Sequence, residues 1–299
     1  MTYRFGLLGY PLTYSLSPQI HQVFLEECGL EGEYRLIPIA VNDETDANLK
    51  AVLTQMKNQA YHGLNVTIPY KQTVKDLLDC LDDKAQAVGA VNTIYRKGEA
   101  LIGTNTDVEG FLLDLENKLS LEEGGNALVL GAGGAARAVI YGLLKRGWQV
   151  WIAARRLEQA DELARHLAKH FFLIEGIKES IQIMAMSSLS DEASRSDKRM
   201  PVRLVINTTP LGTKGTEEDS PLPENLRFPK GTYFYDLVYN PSETAFMRQA
   251  RDKGHKASNG FGMLIHQAAL AFEYWTAKKI TITPAIESKI TARTLQNHG

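Results

Sequence analysis

The 299 residues include only two cysteines, Cys28 and Cys80. They lack metal-ligand spacing, and a chain of this size needs no disulfide framework. A surplus of either charge is also missing: 33 Lys and Arg face 35 Asp and Glu, a formal net charge of -2. That balance argues against a general nucleic-acid or anionic-membrane binder. No apolar run approaches the roughly 20 residues of a membrane span. The opening "MTYRFGLLGYPLTYSLSP" has no basic stretch followed by a signal-like apolar run. The chain is therefore expected to be soluble and cytoplasmic, with neither nucleic acid nor membrane as partner. Of seven histidines, only His166 and His170 stand four apart, without the glutamate of an H-E-x-x-H motif, so no metal is expected. Solenoid-type repeats are absent too.

What is present is a 44% hydrophobic composition, enough for a well-formed core. Strand and helix patterns alternate. "YRFGLLG" reads as a strand and "SPQIHQVFLEECGL" as a helix, with Ser17 as N-cap and Pro18 as first helical residue. The strand "EYRLIPIAV", the helix "TDANLKAVLTQMKN" and the strand "HGLNVTI" follow. "QTVKDLLDCL" reads as a third helix, and "AVNTIYRKGEALIG" as a hairpin turning at Lys97-Gly98. After the helix "DVEGFLLDLENKL", the break "EEGGN" opens a second alternating series from "NALVLG" to "TYFYDLVY". Residues 187–200 read as an exposed polar loop. "GMLIHQAALAFEYWTA" is the last strong helix. Strands separated by helices imply mostly parallel sheets covered on both faces. Two α/β units are expected to meet near residue 106, with the active site in a cleft between them.

The strand in "GLNVTIPYKQ" ends in unusual company. Asn65, Thr67 and Lys71 all carry hydrogen-bonding groups, and Pro69 stops the strand just before the lysine. Ser15 and Ser17, beside a helix start, would suit a carboxylate. "GAVNTI" and "GTNTDVEG" add Asn92, Thr104, Asn105, Thr106 and Asp107. Asp107 could cap the following helix or form an acid/base pair with Lys71. Reducing a ketone builds negative charge on oxygen, which an ammonium can stabilise and protonate while a carboxylate orients it.

In "LVLGAGGAARA", Gly131, Gly133 and Ala136 fit G-x-G-x-x-A between a strand and a helix. The first glycine permits the tight turn, the second admits a pyrophosphate, and the small third residue allows close helix packing. An acid about 20 residues on would select NAD. This chain instead has Arg155 and Arg156, with no acid until Glu158, so NADP is expected.

The series "YSLSP", "NVTIPYK", "GAVNTI", "GTNTD", "GAGGAARA", "INTTPLG", "YDLVYNP" and "NGFGMLIHQAALAF" resembles the successive motifs of the shikimate dehydrogenase family. The resemblance covers Tyr3 to about Trp275. It implies reversible NADP-dependent reduction of 3-dehydroshikimate to shikimate, on the route to chorismate and aromatic amino acids. The implied fold has two α/β domains. Residues 1–106 and 260–299 would form a substrate-binding (catalytic) domain with a mostly parallel sheet, and 107–259 a Rossmann-like NADP-binding domain. Lys71 would be catalytic, supported by Asp107. Ser15 and Ser17 would hold the substrate carboxylate. Asn65, Thr67, Asn92 and Asp107 would hold its hydroxyls, joined by Gln267 and Tyr239. Gly131, Ala132, Gly133, Gly134 and Ala135 would cradle the pyrophosphate, and Arg155 and Arg156 would face the 2′-phosphate. Thr208, Leu237, Gly260 and Met263 would line the nicotinamide region. The family often has Asn-Arg-Thr where this chain has Ala154-Arg155-Arg156. A monomer or homodimer is expected. Two other readings fit the scaffold: a quinate/shikimate dehydrogenase using NAD or NADP, and a noncatalytic NADP-binding sensor.

Overall fold

The computed structural model describes residues 1–121, 124–171, 180–189, 201–224 and 226–296. Most of the polar loop expected at 187–200 lies outside them. The chain divides into two compact units, Met1–Gly110 with Leu264–Gly299, and Phe111–Met263.

The first unit contains β1 (Tyr3–Gly9), α1 (Ser17–Glu27), β2 (Gly32–Pro38), α2 (Thr45–Lys57), β3 (Gly63–Val66), β4 (Cys80–Leu81), α3 (Asp83–Val88), β5 (Thr93–Lys97) and β6 (Ala100–Thr104). Its six-stranded sheet has the order β2-β1-β3-β5-β6-β4. β2, β1 and β3 run parallel. The hairpin partner β5 reverses direction between β3 and β6. Side chains alternate across each strand, so Leu8 and Leu64 meet Leu49, Leu53 and Met56 of α2 on one face. On the other, Phe5 meets His21, Phe272 and Trp275.

Three local expectations are corrected. The helix over 72–81 is a short 3₁₀ turn, Val74–Leu77, followed by β4. Pairing of Cys80 and Leu81 with Ile102 and Gly103 outcompetes local helix propensity. Ser17 is the first helical residue of α1, not its cap; its N–H donates to Ser15 Oγ at 3.3 Å. The hairpin reverses at Gly98-Glu99, one residue later than expected, with Gly98 at φ 64°.

The second unit contains β7 (Asn126–Leu130), α5 (Gly134–Lys145), β8 (Gln149–Ala154), α6 (Leu157–His170), β9 (Ile181–Ala185), β10 (Leu204–Asn207), β11 (Tyr233–Asp236), α7 (Ala245–Asp252) and β12 (Lys256–Ser258). Its order is β12-β11-β10-β7-β8-β9, and every neighbouring pair is parallel. Counted within the unit this is the 3-2-1-4-5-6 order of a dinucleotide-binding sheet. The elements α4 (Asp107–Glu116) and α8 (Phe261–Thr276) are the helices at the chain crossings, and α9 (Pro284–Gln296) packs on α1 through Arg293 to Glu26 at 2.8 Å.

Candidate active site

The candidate substrate residues of the first unit leave one edge of its sheet. β1 and β3 end there, β5 begins there, and β6 ends there before α4. Register places Asn65 opposite Thr93, and Thr93 opposite Thr104. Loops at such an edge are where open α/β sheets bind ligands.

Lys71 and Asp107, 36 residues apart, meet: Lys71 Nζ lies 2.7 Å from Asp107 Oδ2, with side chains 14% and 6% exposed. The other carboxylate oxygen, Oδ1, accepts from Asn92 Nδ2 at 2.8 Å. Asp107 is therefore fixed by two side-chain donors rather than occupied in capping α4. Asn92 is a hub. Its Nδ2 also approaches Thr106 Oγ1 at 2.9 Å and Gln267 Oε1 at 3.2 Å, and its Oδ1 accepts from Thr106 N at 2.7 Å. Asn65 donates to the Asn92 carbonyl at 3.1 Å and to Thr93 Oγ1 at 3.0 Å. Gln267, on α8, thus joins residues 175 positions away. A lysine held against a buried carboxylate, with amides around it, can donate or accept a proton at a substrate oxygen.

Ser15 and Thr67 occupy loops at the same edge, and Ser17 opens α1 there. Ser17 is buried, and Thr67 donates its N–H to Leu8 O at 2.8 Å, beside the end of β1. Tyr239 lies in the second unit, in the loop past β11. The sequence reading missed Tyr34, whose hydroxyl donates to Asn65 Oδ1 at 2.9 Å. No local pattern could show that contact, because it joins residues 31 apart. Behind Tyr34 lies His21, fully buried, its ring stacked on the tyrosine at 4.3 Å between centroids. Among the described residues, neither ring nitrogen has a partner at hydrogen-bond geometry. Burial pushes the imidazole down to about 3, although the nearby Asn65 side chain offsets part of the effect.

In the second unit the cofactor candidates also line one edge. Gly131 follows β7, Arg155 follows β8, Thr208 follows β10, Leu237 follows β11, and Gly260 lies just past β12. Gly131 has φ 113°, and a Cβ there would lie 2.6 Å from Thr208 Oγ1. Glycine alone fits. A Cβ on Gly133 would meet nothing within 4 Å. Ala132, Gly134 and Ala135 complete the turn into α5, whose N-terminus has no side-chain cap. Free helical amides facing open space suit a pyrophosphate. At the other end of the edge, a Cβ on Gly260 would lie 2.5 Å from Leu237 O, and Met263 is buried in the first turn of α8. Arg155 and Arg156 are exposed and have no ion pair among the described residues. These residues fit an NADP molecule.

A family model described as the shikimate dehydrogenase substrate binding domain matches residues 7–94, and one described as the shikimate 5′-dehydrogenase C-terminal domain matches residues 260–280. The chain is 37% identical over 271 residues to shikimate dehydrogenase (NADP(+)) of Carboxydothermus hydrogenoformans, covering 91% of this chain and 90% of that protein. Shikimate 5-dehydrogenase of Thermus thermophilus, solved in complex with NADP(H) and shikimate, superimposes with a TM-score of 0.80 at 34% identity, covering 98% of this chain and 99% of that one. Quinate dehydrogenase of Corynebacterium glutamicum, solved in complex with NAD, gives a TM-score of 0.82 at 28% identity, covering 99% of each.

Proposed function

The chain belongs to the shikimate/quinate dehydrogenase family, and we propose that it interconverts 3-dehydroshikimate and shikimate with NADP(H), in chorismate and aromatic amino-acid biosynthesis. The observation that carries this reading is the 2.7 Å Lys71–Asp107 pair, held by Asn92. A protein that only sensed NADP would have no use for a buried, oriented proton donor.

NADPH, when bound, supplies the hydride. Lys71 holds the carbonyl oxygen of the substrate, stabilises the negative charge that develops there and gives it a proton; in the oxidation direction it takes that proton back. Asp107 keeps the lysine in place and accepts a hydrogen bond from a substrate hydroxyl. Asn65, Thr67, Asn92 and Gln267 hold the remaining hydroxyls, and Tyr239 contributes from the loop after β11. Ser15 and Ser17 bind the carboxylate with neutral donors. Gly131, Ala132, Gly133, Gly134 and Ala135 take the pyrophosphate at the start of α5, and Arg155 and Arg156 take the 2′-phosphate. Thr208, Leu237, Gly260 and Met263 line the nicotinamide side. Residues 1–106 with 260–299 would serve as the substrate domain and 107–259 as the NADP domain. The enzyme would work in the cytoplasm as a monomer or homodimer. Among the described residues, no helix is long and apolar enough to cross a membrane.

The quinate dehydrogenase reading persists because backbone shape does not separate the two activities: the TM-scores are 0.82 and 0.80. Arg155 and Arg156 favour NADP. Initial rates with shikimate or quinate, each paired with NADP or NAD, test the proposal. A dominant shikimate–NADP rate is expected. Comparable quinate or NAD rates would reassign the chain within its family, and silence in all four pairings would overturn catalysis.

A further inference from the structure

We propose that Asp236 is a positioning residue that fixes the two loops on the nicotinamide side of the cofactor site. The inference rests on the NADP reading above and adds to it a residue that touches no ligand.

Asp236 ends β11 and is completely buried, after three aromatic residues of the strand "YFYD". Among the described residues no cation compensates it: the hydrogen-bond partners are all neutral. Oδ1 accepts from Asn207 Nδ2 at 2.9 Å and from Val238 N at 3.0 Å, and Oδ2 accepts from Thr244 Oγ1 at 2.6 Å. Each partner belongs to a different piece of the edge. Asn207 ends β10 and stands directly opposite Asp236 in register. Its own Oδ1 accepts from Thr209 N at 2.9 Å and Thr209 Oγ1 at 2.7 Å, and its Nδ2 also reaches Leu211 O at 3.2 Å. Val238 lies in the loop after β11. Thr244 caps α7 by accepting from Met247 N.

One carboxylate therefore ties two strand ends, the loops that follow them and a helix start. Thr208 and Leu237 are the first residues past those strand ends, and both are assigned to the nicotinamide side. Burying a carboxylate without a counter-charge is costly, and burial pushes Asp236 up to about 6 against the pull of its three partners. An apolar side chain could fill the space but could not direct bonds to three separate segments. This explains an acid in a place where packing alone would put a hydrophobe.

The test compares two ligands by calorimetry: NADP, and adenosine 2′,5′-bisphosphate, which has the phosphate end but no nicotinamide. In Asp236→Ala, NADP binding is expected to weaken by about tenfold or more, while the bisphosphate changes by less than about threefold. Asp236→Asn keeps the Oδ1 acceptor for Asn207 and Val238 and puts an NH2 in place of Oδ2, from which Thr244 Oγ1 can accept, and it should restore NADP binding to within about threefold of wild type. Should Asp236→Ala fail to fold, Thr244→Val removes the Oδ2 bond together with the cap on Met247 N and should weaken NADP selectively. Equal weakening of both ligands would mean a general structural role and would overturn the inference, as would unchanged NADP binding in a folded Ala or Val variant. Wild-type protein that binds neither ligand would instead overturn the cofactor reading, and the inference with it.

Discussion

Gly110 and Gln267 touch at the level of their backbones: a methyl group on Gly110 would lie 2.7 Å from Gln267 Cβ and 2.8 Å from its backbone nitrogen. Neither neighbour is the movable end of a side chain. Gln267 in turn accepts from Asn92 and donates to Leu264 O at 2.8 Å. The glycine of α4 thus sets how closely α8 brings its glutamine to the amide hub.

Gly110→Ala should push Gln267 away from Asn92 and raise the KM for shikimate by about tenfold, at the level of one hydrogen bond. NADP affinity should change less than the KM, since of its candidate residues only Met263 lies on α8. Steady-state kinetics with calorimetry of NADP binding would show the split. An unchanged KM would mean that α4 and α8 can separate without moving the glutamine.

Lys71→Met keeps most of the side-chain stem and removes the proton donor. Single-turnover hydride transfer should slow by about 10²–10⁴-fold, with shikimate affinity changed far less. Asp107→Asn leaves the lysine without its counter-charge and should also slow transfer. A Lys71→Met enzyme within a few-fold of wild type would remove the lysine from the chemistry.

Replacing Arg155 and Arg156 together by alanine should lower kcat/KM for NADP by about 10–100-fold and leave NAD within about threefold, because only the 2′-phosphate needs the guanidiniums. Parallel losses with both dinucleotides would show that the arginines do not read the phosphate.

Two buried groups give the pH dependence of stability opposite slopes. The His21 imidazole, lowered to about 3 from 6.5, stays neutral in the fold while the unfolded chain takes up a proton. Its contribution is present above pH 6.5 and is lost as pH falls toward the folded value, about 2 kcal/mol by pH 5. Asp236, raised to about 6 from 3.8, works the other way: its stabilisation is full below 3.8 and disappears as pH rises through 6, about 3 kcal/mol in all. Urea unfolding across this range should show His21→Phe losing stability more steeply than wild type as pH rises. Asp236→Asn should gain stability more steeply over the same interval. Curves parallel to wild type would refute both assignments.

The strand–turn–helix around Gly131 was legible because its glycines answer local demands of backbone and phosphate. The pairing of Lys71 with Asp107 was legible as chemistry, though not as a distance. What escaped was decided by tertiary contacts. Cys80 and Leu81 follow a helix-like run, yet an open sheet edge recruits them, helped by Asp79, which accepts from Leu101 N at 2.8 Å. The helix that does form there, α3, carried its own signals: Asp82 caps it by accepting from Ala85 N, and Gly89 ends it at φ 71°. Those signals were readable and were missed. Asp236 stands in the sequence as an acid after aromatic residues and was passed over, because its partners Asn207 and Thr244 become visible only when β10 and β11 lie side by side.

Trp275 donates its indole N–H to Ile94 O at 3.0 Å and stacks on Phe5 at 4.8 Å. Both partners precede it in the chain by the whole second unit. A ribosome that has released β6 must therefore make residues 111–263 before the segment covering Phe5 and His21 follows, roughly 8–30 s at ordinary rates. During that interval the second unit can fold around its own parallel sheet, while one face of the first sheet, covered only in part by α1, remains adhesive. Birth order in this protein is the reverse of sequence order: the unit begun first is the last to be finished.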